Sequence, residues 1–129
     1  MNKFVVDASA WIEYFNGSKV GGKIKKIIEN KENSIYTNII TISEISSFFE
    51  RRKYNFEDAK NTILSLSYIY NIDIQFGAEA GMLHANLKKE RKNISLADIF
   101  ILLTAKKLNA KIITLDEDFH GLKEIYLID

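Results

Sequence analysis

The spacing of apolar residues changes repeatedly along the chain, from short runs to helical stripes, and this predicts strands and helices in succession. Residues 3–6 form a β-rich apolar run that ends at Asp7, which indicates a buried first strand. Residues 8–15 are predicted to form a short helix, and a second helix follows Ser18. Residues 35–37 indicate the second strand.

The middle of the chain is predicted to contain three helices and one strand. The first of these helices begins at either Asn38 or Thr41, since both residue types cap helices. Asn55 caps the next helix, whose apolar stripe extends to Tyr70. Residues 71–76 alternate between polar and apolar side chains, which predicts a strand. The third helix then has an inward face formed by Ala80, Leu83 and Leu87.

The most apolar part of the chain extends from Ser95 to Phe119 and predicts a capped helix, a short turn, a buried strand and then a cluster of acids. Residues 124–128 supply a last strand at the edge of the sheet. Strands separated by helices indicate βαβ units with right-handed crossovers. We therefore expect an α/β fold, with residues 1–129 forming a single three-layer α/β/α domain around a mainly parallel sheet of about five strands.

Composition excludes several classes of protein. The 129 residues are 47% hydrophobic and 27% charged, which is typical of a globular protein. No apolar run approaches the roughly 20 residues that cross a membrane, and the N-terminus lacks the apolar segment of a signal peptide. The absence of cysteine excludes disulfides, thiolate metal sites and cysteine nucleophiles. We therefore expect no membrane association and a cytoplasmic location.

Five acidic residues are predicted to lie along one edge of the sheet. Asp7 and Asp116 follow two predicted strands, and functional groups of open parallel sheets gather beyond the carboxyl ends of the strands. Asp98 and Glu44 lie near the starts of helices that begin at this edge. Asp118 lies two residues beyond Asp116. The topology alone therefore places five carboxylates near one another.

Three of these acids also have a local explanation connected with a helix start. Asp98 completes a capping-box pattern with Ser95, and Glu44 does so if Thr41 is the N-cap. Asp7 precedes a helix, whose dipole interacts favourably with a negative charge. Taken singly, the capping role is the simpler explanation for the two helical acids, whereas Asp7 is evenly balanced between a local role and a site.

Asp116 and Asp118 are consistent with a solvated turn, but the coincidence of five acids at one edge favours a metal site. Two like charges ~4 Å apart repel by roughly 4 kcal/mol at an effective dielectric constant of 20. No lysine or arginine is adjacent in sequence to Asp7, Asp98 or Asp116. A divalent ion that prefers oxygen ligands, Mg²⁺ or Mn²⁺, is the expected compensation.

The net charge of +1 conceals an excess of basic residues outside these five acids. Setting the five aside leaves 18 basic against 12 acidic residues, a net charge of +6 that suits a polyanionic substrate. Solvated helix faces explain the basic clusters at residues 23–26, 51–53 and 88–92 when each is taken alone. The last cluster precedes the helix of Asp98, so weak substrate contacts are assigned to Lys88, Lys89 and Arg91.

Four segments in this order resemble the PIN domain, and in particular the stand-alone VapC-type toxins of toxin–antitoxin pairs. No segment is specific alone, and the resemblance depends on their order in a chain of this length. The segments are Val-Val-Asp-Ala-Ser-Ala at 5–10, Thr-Ile-Ser-Glu-Ile at 41–45, Ser-Leu-Ala-Asp at 95–98 and Ile-Thr-Leu-Asp-Glu-Asp-Phe at 113–119.

The resemblance implies an Mg²⁺- or Mn²⁺-dependent endoribonuclease that hydrolyses RNA phosphodiester bonds at an acidic cleft. Ser9 takes the place of a hydroxyl that supports the first aspartate, and Asp118 takes a variable fifth acidic place. By motif position, the catalytic acids correspond to Asp7, Glu44, Asp98 and Asp116.

Our hypothesis is that Asp7, Asp98 and Asp116 bind the principal ion, with Glu44 and Asp118 orienting water or holding a second ion. The resemblance further implies an RNA substrate, an antitoxin protein as partner and a homodimer. The aromatic residues at 11–15 and 48–49 are compatible with core packing or with such an interface.

Two other functions fit the sequence. A magnesium-dependent phosphatase would use Asp7 as its nucleophile, but such enzymes carry a second aspartate at the place of Ser9. A non-catalytic module of the same fold, which binds RNA or protein, would gain nothing from the mutual repulsion of the acids.

Overall fold

Four parallel strands form the central sheet of the computed structural model, which describes residues 2–128. Neighbouring strands in the order β3-β2-β1-β4 are hydrogen-bonded, and each pairing is parallel. The expected α/β fold with a mainly parallel sheet is confirmed. The strands are β1 (Asn2–Val6), β2 (Asn33–Asn38), β3 (Tyr68–Tyr70) and β4 (Lys111–Ile113).

Helices connect the strands and cover both faces of the sheet. A short 3₁₀ turn, Glu117–Phe119, follows β4. The α-helices within the described residues are α1 (Ala8–Asn16), α2 (Lys19–Ile28), α3 (Ile39–Arg51), α4 (Glu57–Leu66), α5 (Ile74–Leu87) and α6 (Leu96–Leu108).

Two hydrophobic cores, one on each face of the sheet, produce the three layers. Consecutive residues of β1 point into different cores, Val5 towards α5 and α6 and Val6 towards the helices of the other face. Helix α6 supplies an almost continuous buried run from Ile99 to Ala105. Trp11 of α1 is fully buried and donates a hydrogen bond from Nε1 to Thr37 Oγ1 at 3.1 Å, so core packing is its role.

The strand predicted at residues 71–76 is wrong, because β3 comes earlier and α5 begins within that segment. Helix α4 ends at Leu66, so Tyr70 lies in a strand and not in the predicted helical stripe. Asp73 caps α5 by accepting a hydrogen bond from the Phe76 N–H at 2.9 Å. The alternation of residues 71–76 therefore reflects a helix start.

The edge strand predicted at residues 124–128 is reduced to a single bridge. Ile125 pairs with Ile112 in parallel, which gives four strands and one bridge where about five strands were expected. Leu127, which the alternation would bury, is 79% exposed.

Asn38 is the N-cap of α3, which resolves the alternative between Asn38 and Thr41. Its side-chain oxygen accepts a hydrogen bond from the Ile40 N–H at 2.8 Å, and its amide donates to Thr104 Oγ1 of α6 at 2.8 Å. The hydroxyl of Thr41 is buried without a partner among the described residues. The cap therefore ties the start of α3 to α6 inside the protein.

Across residues 2–128, no helix combines the length and the hydrophobicity that crossing a membrane requires.

Candidate active site

The predicted acidic residues gather at the carboxyl ends of the strands. Strand β1 lies between β2 and β4. The connection that follows β1 leads to β2 on one side, whereas β4 is added on the other side by a later connection. Open α/β sheets form a crevice at the carboxyl end of a strand with connections to opposite sides. Asp7 directly follows β1, and Asp116 follows β4. Helices α3 and α6, which carry Glu44 and Asp98, begin at the same edge.

A cleft of about 260 Å³ occupies this position. A larger cavity of about 660 Å³ lies at the opposite edge of the sheet. Most residues that line this larger cavity are lysines and asparagines, and none of them is an aspartate or a glutamate. The cleft at the strand ends is lined by Asp7, Ala8, Ser9, Ile12, Glu44, Phe48, Arg51, Asp98 and Asp116.

Asp7 is buried and is held by hydroxyl groups. Its Oδ2 accepts hydrogen bonds from Thr114 Oγ1 at 2.8 Å and from Ser9 Oγ at 3.3 Å. Asp7 stands at the N-cap position of α1, yet its side chain makes no capping hydrogen bond. The side chain of Asp7 is therefore held by hydroxyl groups and not by a capping hydrogen bond, while the favourable interaction of its charge with the dipole of α1 stays a prediction.

Asp98 combines a cap with a position in the cleft. Its Oδ2 accepts a hydrogen bond from the Ser95 N–H at 3.0 Å, while Ser95 Oγ accepts one from the Asp98 N–H at 3.0 Å. The predicted capping box is thus present. It fixes the carboxylate at the cleft, so the local and the functional explanations are compatible.

Asp116 and Asp118 lie in the turn that follows β4. The Asp118 N–H donates to Asp116 Oδ1 at 2.9 Å, and the Asp116 N–H donates to Thr114 Oγ1 at 3.0 Å. One carboxylate oxygen from each of Asp98, Asp116 and Asp118 lies within 4.8 Å of the others. Among the described residues this group has the spacing of metal ligands, and it includes Asp118 where the sequence hypothesis had Asp7.

Glu44 lies in the second turn of α3 and is exposed to solvent on one side. Since Asn38 is the N-cap, the capping box proposed between Thr41 and Glu44 does not form. Within residues 2–128 the Glu44 carboxylate has no hydrogen-bond or ion-pair partner. It faces the other acids of the cleft without compensation.

The carboxylates repel one another and are partly removed from water. Burial raises the pKa of Asp7, and the charges of Asp98 and Asp116 act in the same direction, while the hydrogen bond from Thr114 opposes them. Burial likewise raises the pKa of Asp98, with further contributions from Asp116 and Asp118. Desolvation, followed by the charges of Asp7, Asp98 and Asp116, raises the pKa of Glu44 to about 7.

The donor set fits a hard divalent cation. The ligand atoms are carboxylate oxygens, and no ion pair to any of these acids occurs in the part of the chain that the structure describes. The N-termini of α1, α3 and α6 begin at this edge, and their dipoles offset the repulsion by only about 0.3–1 kcal/mol each. Asp98 and Asp116, with Asp118 or Asp7, are therefore the residues that would hold Mg²⁺ or Mn²⁺.

Arg91 was assigned to weak substrate contacts, and the structure places it against the turn that carries Asp116 and Asp118. Its Nη1 donates a hydrogen bond to the Asp118 backbone oxygen at 3.2 Å. Lys88 Nζ lies 3.5 Å from the Ile94 carbonyl oxygen, and Lys89 is exposed. Arg91 therefore supports the turn that carries Asp116 and Asp118.

Thr114 and Phe48 were not assigned to the site from the sequence, and Arg51 was considered there only as part of a basic cluster. Thr114 bonds both Asp7 and the Asp116 backbone, and its signal was a hydroxyl directly after a buried strand. Phe48 and Arg51 lie four and seven residues after Glu44, which is the spacing of one helix face. Extending that face from Glu44 would have identified both.

The pH dependence of stability provides a first test. Because the pKa values of Asp7, Glu44 and Asp98 are raised, the folded protein binds more protons than the unfolded chain. Without divalent ions, the free energy of unfolding is therefore expected to fall as the pH rises from about 4.5 through about 7. Glu44→Gln should remove part of this loss, on the order of 1 kcal/mol after solvent screening, measured by thermal unfolding in chelator.

Glu50→Gln provides the control, because Glu50 is an exposed glutamate of the same helix outside the cleft. An equal pH dependence in the Glu44→Gln and Glu50→Gln variants would contradict the proposed repulsion between Glu44 and the aspartates.

The chain matches one protein family and is similar to several solved structures. Residues 4–125 match the model of the PIN domain. None of the curated proteins matches the chain.

Several solved structures are similar over almost their whole length. VapC20 of Mycobacterium tuberculosis is described as a sarcin–ricin loop cleaving toxin. Its structure aligns with a TM-score of 0.80 at 16% identity, and the alignment covers 98% of this chain and 99% of the VapC20 chain. VapBC2 of Rickettsia felis, bound to a promoter DNA fragment, has a TM-score of 0.74 at 17% identity, with coverage of 97% and 96%. A toxin–antitoxin complex from Klebsiella pneumoniae has a TM-score of 0.69 at 27% identity, with 95% of each chain covered.

Proposed function

Because this chain belongs to the PIN domain family, we propose that it is a metal-dependent endoribonuclease and the toxin of a VapBC-type toxin–antitoxin system. One observation carries the proposal: oxygens of Asp98, Asp116 and Asp118 lie within 4.8 Å of one another, and none of the three acids forms an ion pair with a lysine or arginine within residues 2–128. The similarity to solved VapC and toxin–antitoxin structures supports the toxin role.

The chemistry of the cleft suits hydrolysis of a phosphodiester. A bound Mg²⁺ or Mn²⁺ would supply a water that is activated at neutral pH and would stabilise negative charge on the phosphoryl oxygens. Asp7, Asp98 and Asp116 are proposed to hold this ion, with Asp118 as a further ligand. Glu44, which has no partner in residues 2–128, is available to orient the attacking water and to accept its proton.

The supporting residues act by fixing the acids. Ser9 and Thr114 hold one oxygen of Asp7, and Thr114 also binds the backbone of Asp116, so the two hydroxyls join the ends of β1 and β4. Hydrogen bonds from the surrounding protein to metal-binding carboxylates orient these carboxylates and raise their affinity for the ion.

The alternative of a phosphatase that uses Asp7 as nucleophile is disfavoured by the surroundings of this residue. Asp7 is only 6% exposed, and its Oδ2 already accepts two hydrogen bonds. A non-catalytic module is disfavoured because the uncompensated carboxylates would only cost stability.

The proposed partners follow from the family and the similar structures. We propose an RNA substrate, an antitoxin protein, a homodimeric assembly and a cytoplasmic location. Lys88, Lys89 and Arg91 remain proposed weak contacts to RNA phosphates: the two lysines are exposed before α6, and the contact of Arg91 with the Asp118 backbone involves only Nη1.

Cleavage of a panel of transfer and ribosomal RNAs tests the function directly. We expect defined RNA fragments with millimolar Mg²⁺ or Mn²⁺ and none with chelator, and readdition of the ion should restore cleavage. Cleavage that persists in chelator would contradict the metal-dependent mechanism. Formation of an aspartyl phosphate on Asp7, with the RNA left intact, would instead establish the phosphatase.

A further inference from the structure

One face of α3 carries an acidic residue of the cleft, and farther along the helix it carries an aromatic and a basic residue that line the same cleft. Glu44, Phe48 and Arg51 are spaced four and three residues apart, so they lie along one face of the helix, and all three line the cleft. Ala8 and Ile12 of α1 line the cleft with them. The cleft thus has carboxylates at one end and an aromatic ring with a cation farther along α3.

Phe48 lies at the margin of the core, with its ring centroid 6.1 Å from that of Phe49, and it also lines the cleft. Its neighbour Phe49 packs against the core between the sheet and helices α1–α4, whereas Phe48 belongs to neither hydrophobic core and is only half-buried. The guanidinium carbon of Arg52 lies 3.6 Å from the centroid of the Phe48 ring. This cation–π contact restrains an aromatic ring that lines a polar cleft.

Arg51 brings positive charge to a cleft that is otherwise acidic. Its side chain is exposed, and it forms no ion pair among the described residues, although four carboxylates line the same cleft. Its charge is therefore not neutralised by the acids. A planar guanidinium binds phosphate through paired N–H donors.

We propose that Phe48 and Arg51 form a nucleotide subsite next to the scissile phosphodiester, in which Phe48 stacks on one unpaired base and Arg51 binds an adjacent phosphate. This inference rests on the proposed ribonuclease function. Stacking on an aromatic face requires a base that has left its helix, because the bases of a duplex already stack on their neighbours. The subsite therefore selects single-stranded or looped RNA.

Binding is best measured without cleavage, in the Asp98→Asn background, with a fluorescently labelled unstructured RNA of about 12 nucleotides. Phe48→Ala and Phe48→Leu should each weaken binding by about 10-fold, while Phe48→Trp should bind within about 2-fold of the parent. Phe48→Leu preserves apolar packing, so it reports on the aromatic face even if Phe48→Ala fails to fold. The same RNA annealed to its complement should bind more weakly than the single strand.

The salt dependence of binding separates the two roles. Loss of one phosphate contact in Arg51→Ala should reduce the slope of log K against log[salt] by about 0.7, whereas the Phe48 variants should leave the slope unchanged. Lys123→Ala is the matched control, since it removes an exposed charge at the opposite edge of the sheet. Any one of three results would overturn the subsite. These are parental affinity in the Phe48→Leu variant, equal binding of duplex and single-stranded RNA, and an Arg51→Ala slope equal to that of Lys123→Ala.

Cleavage assays distinguish failure of the subsite from failure of the function. In the otherwise unchanged protein, Phe48→Leu and Arg51→Ala should raise KM more than they lower kcat. Unchanged KM with normal metal-dependent cleavage would remove the subsite and leave the ribonuclease in place. If the unsubstituted protein cleaves no RNA, the ribonuclease proposal fails, and the subsite stands or falls on the binding results alone.

Discussion

Replacement of Asp98 by asparagine is expected to slow RNA cleavage by roughly 10²–10³-fold, which is the usual cost of losing one charged group that stabilises a transition state. Asparagine keeps the size of the side chain and an oxygen that accepts the Ser95 N–H, so the cap of α6 should persist. What is lost is a negative charge in the group formed with Asp116 and Asp118. The measurement is the initial rate of cleavage at saturating Mg²⁺, with thermal unfolding to verify the fold.

Asp58→Asn is the matched control for this substitution. Asp58 is an exposed aspartate in the first turn of α4, away from the cleft, so its loss reports the general effect of removing an acid from a helix start. The control should cleave RNA at the unsubstituted rate. Cleavage by Asp98→Asn within 2-fold of Asp58→Asn, as a rough limit for no effect, would remove Asp98 from the proposed mechanism.

The second large effect is a reversal of relative stability when a divalent ion is added. In chelator, Asp116→Asn should be more stable than the unsubstituted protein by on the order of 1 kcal/mol, because it relieves repulsion with Asp98 and Asp118. At an ion concentration about 100 times the dissociation constant, the unsubstituted protein should gain about 2.7 kcal/mol while the variant gains little. Thermal unfolding with and without Mn²⁺ measures both quantities.

The same measurement decides which residue completes the ion site. Asp7 belongs to the ligand set inferred from the sequence, whereas Asp118 belongs to the group that the structure brings within 4.8 Å. Because Asp7 is proposed to hold the ion and Asp118 to be a further ligand, the response to Mn²⁺ should fall more in Asp7→Asn than in Asp118→Asn, and the opposite order would assign Asp118 in place of Asp7. A Tm of the unsubstituted protein that does not change with millimolar ion would contradict a preformed site.

The position of the acids could be predicted because it depends on topology. Asp7 and Asp116 follow buried strands, and a parallel sheet brings the carboxyl ends of its strands to one edge whatever the details of packing. Asp98 could be placed because its capping box fixes the start of α6. These inferences needed only element type and order.

The sheet was predicted less well at its edges than at its centre. Strand β3 has three residues, and its pairing of Ile69 with Thr37 is a long-range contact that no local pattern reveals. Residues 71–76 fitted a two-residue period, yet the hydrogen bond between Asp73 and Phe76 makes them the start of a helix. Short apolar alternation is ambiguous between these structures, and only tertiary pairing resolves it.

Distances within the site were also beyond the sequence. The pattern suggested Asp7 as a ligand and left Asp118 in a supporting place, whereas the carboxylate oxygens closest to Asp98 and Asp116 include those of Asp118. The turn that brings Asp118 inward depends on its N–H bond to Asp116 and on the contact from Arg91. Both are side-chain placements that composition and spacing do not specify.

The hydrogen bonds of the aspartates have a consequence for ion selectivity. Oδ2 of Asp7, Oδ2 of Asp98 and Oδ1 of Asp116 each accept at least one hydrogen bond from the protein. With one oxygen engaged by the fold, each aspartate is disposed to monodentate coordination. Calcium, which takes six to eight oxygens and favours bidentate carboxylates, would compete with these hydrogen bonds, whereas octahedral Mg²⁺ would not. We therefore expect the site to favour Mg²⁺ over Ca²⁺, two ions of equal charge, because its hydrogen bonds disfavour bidentate coordination.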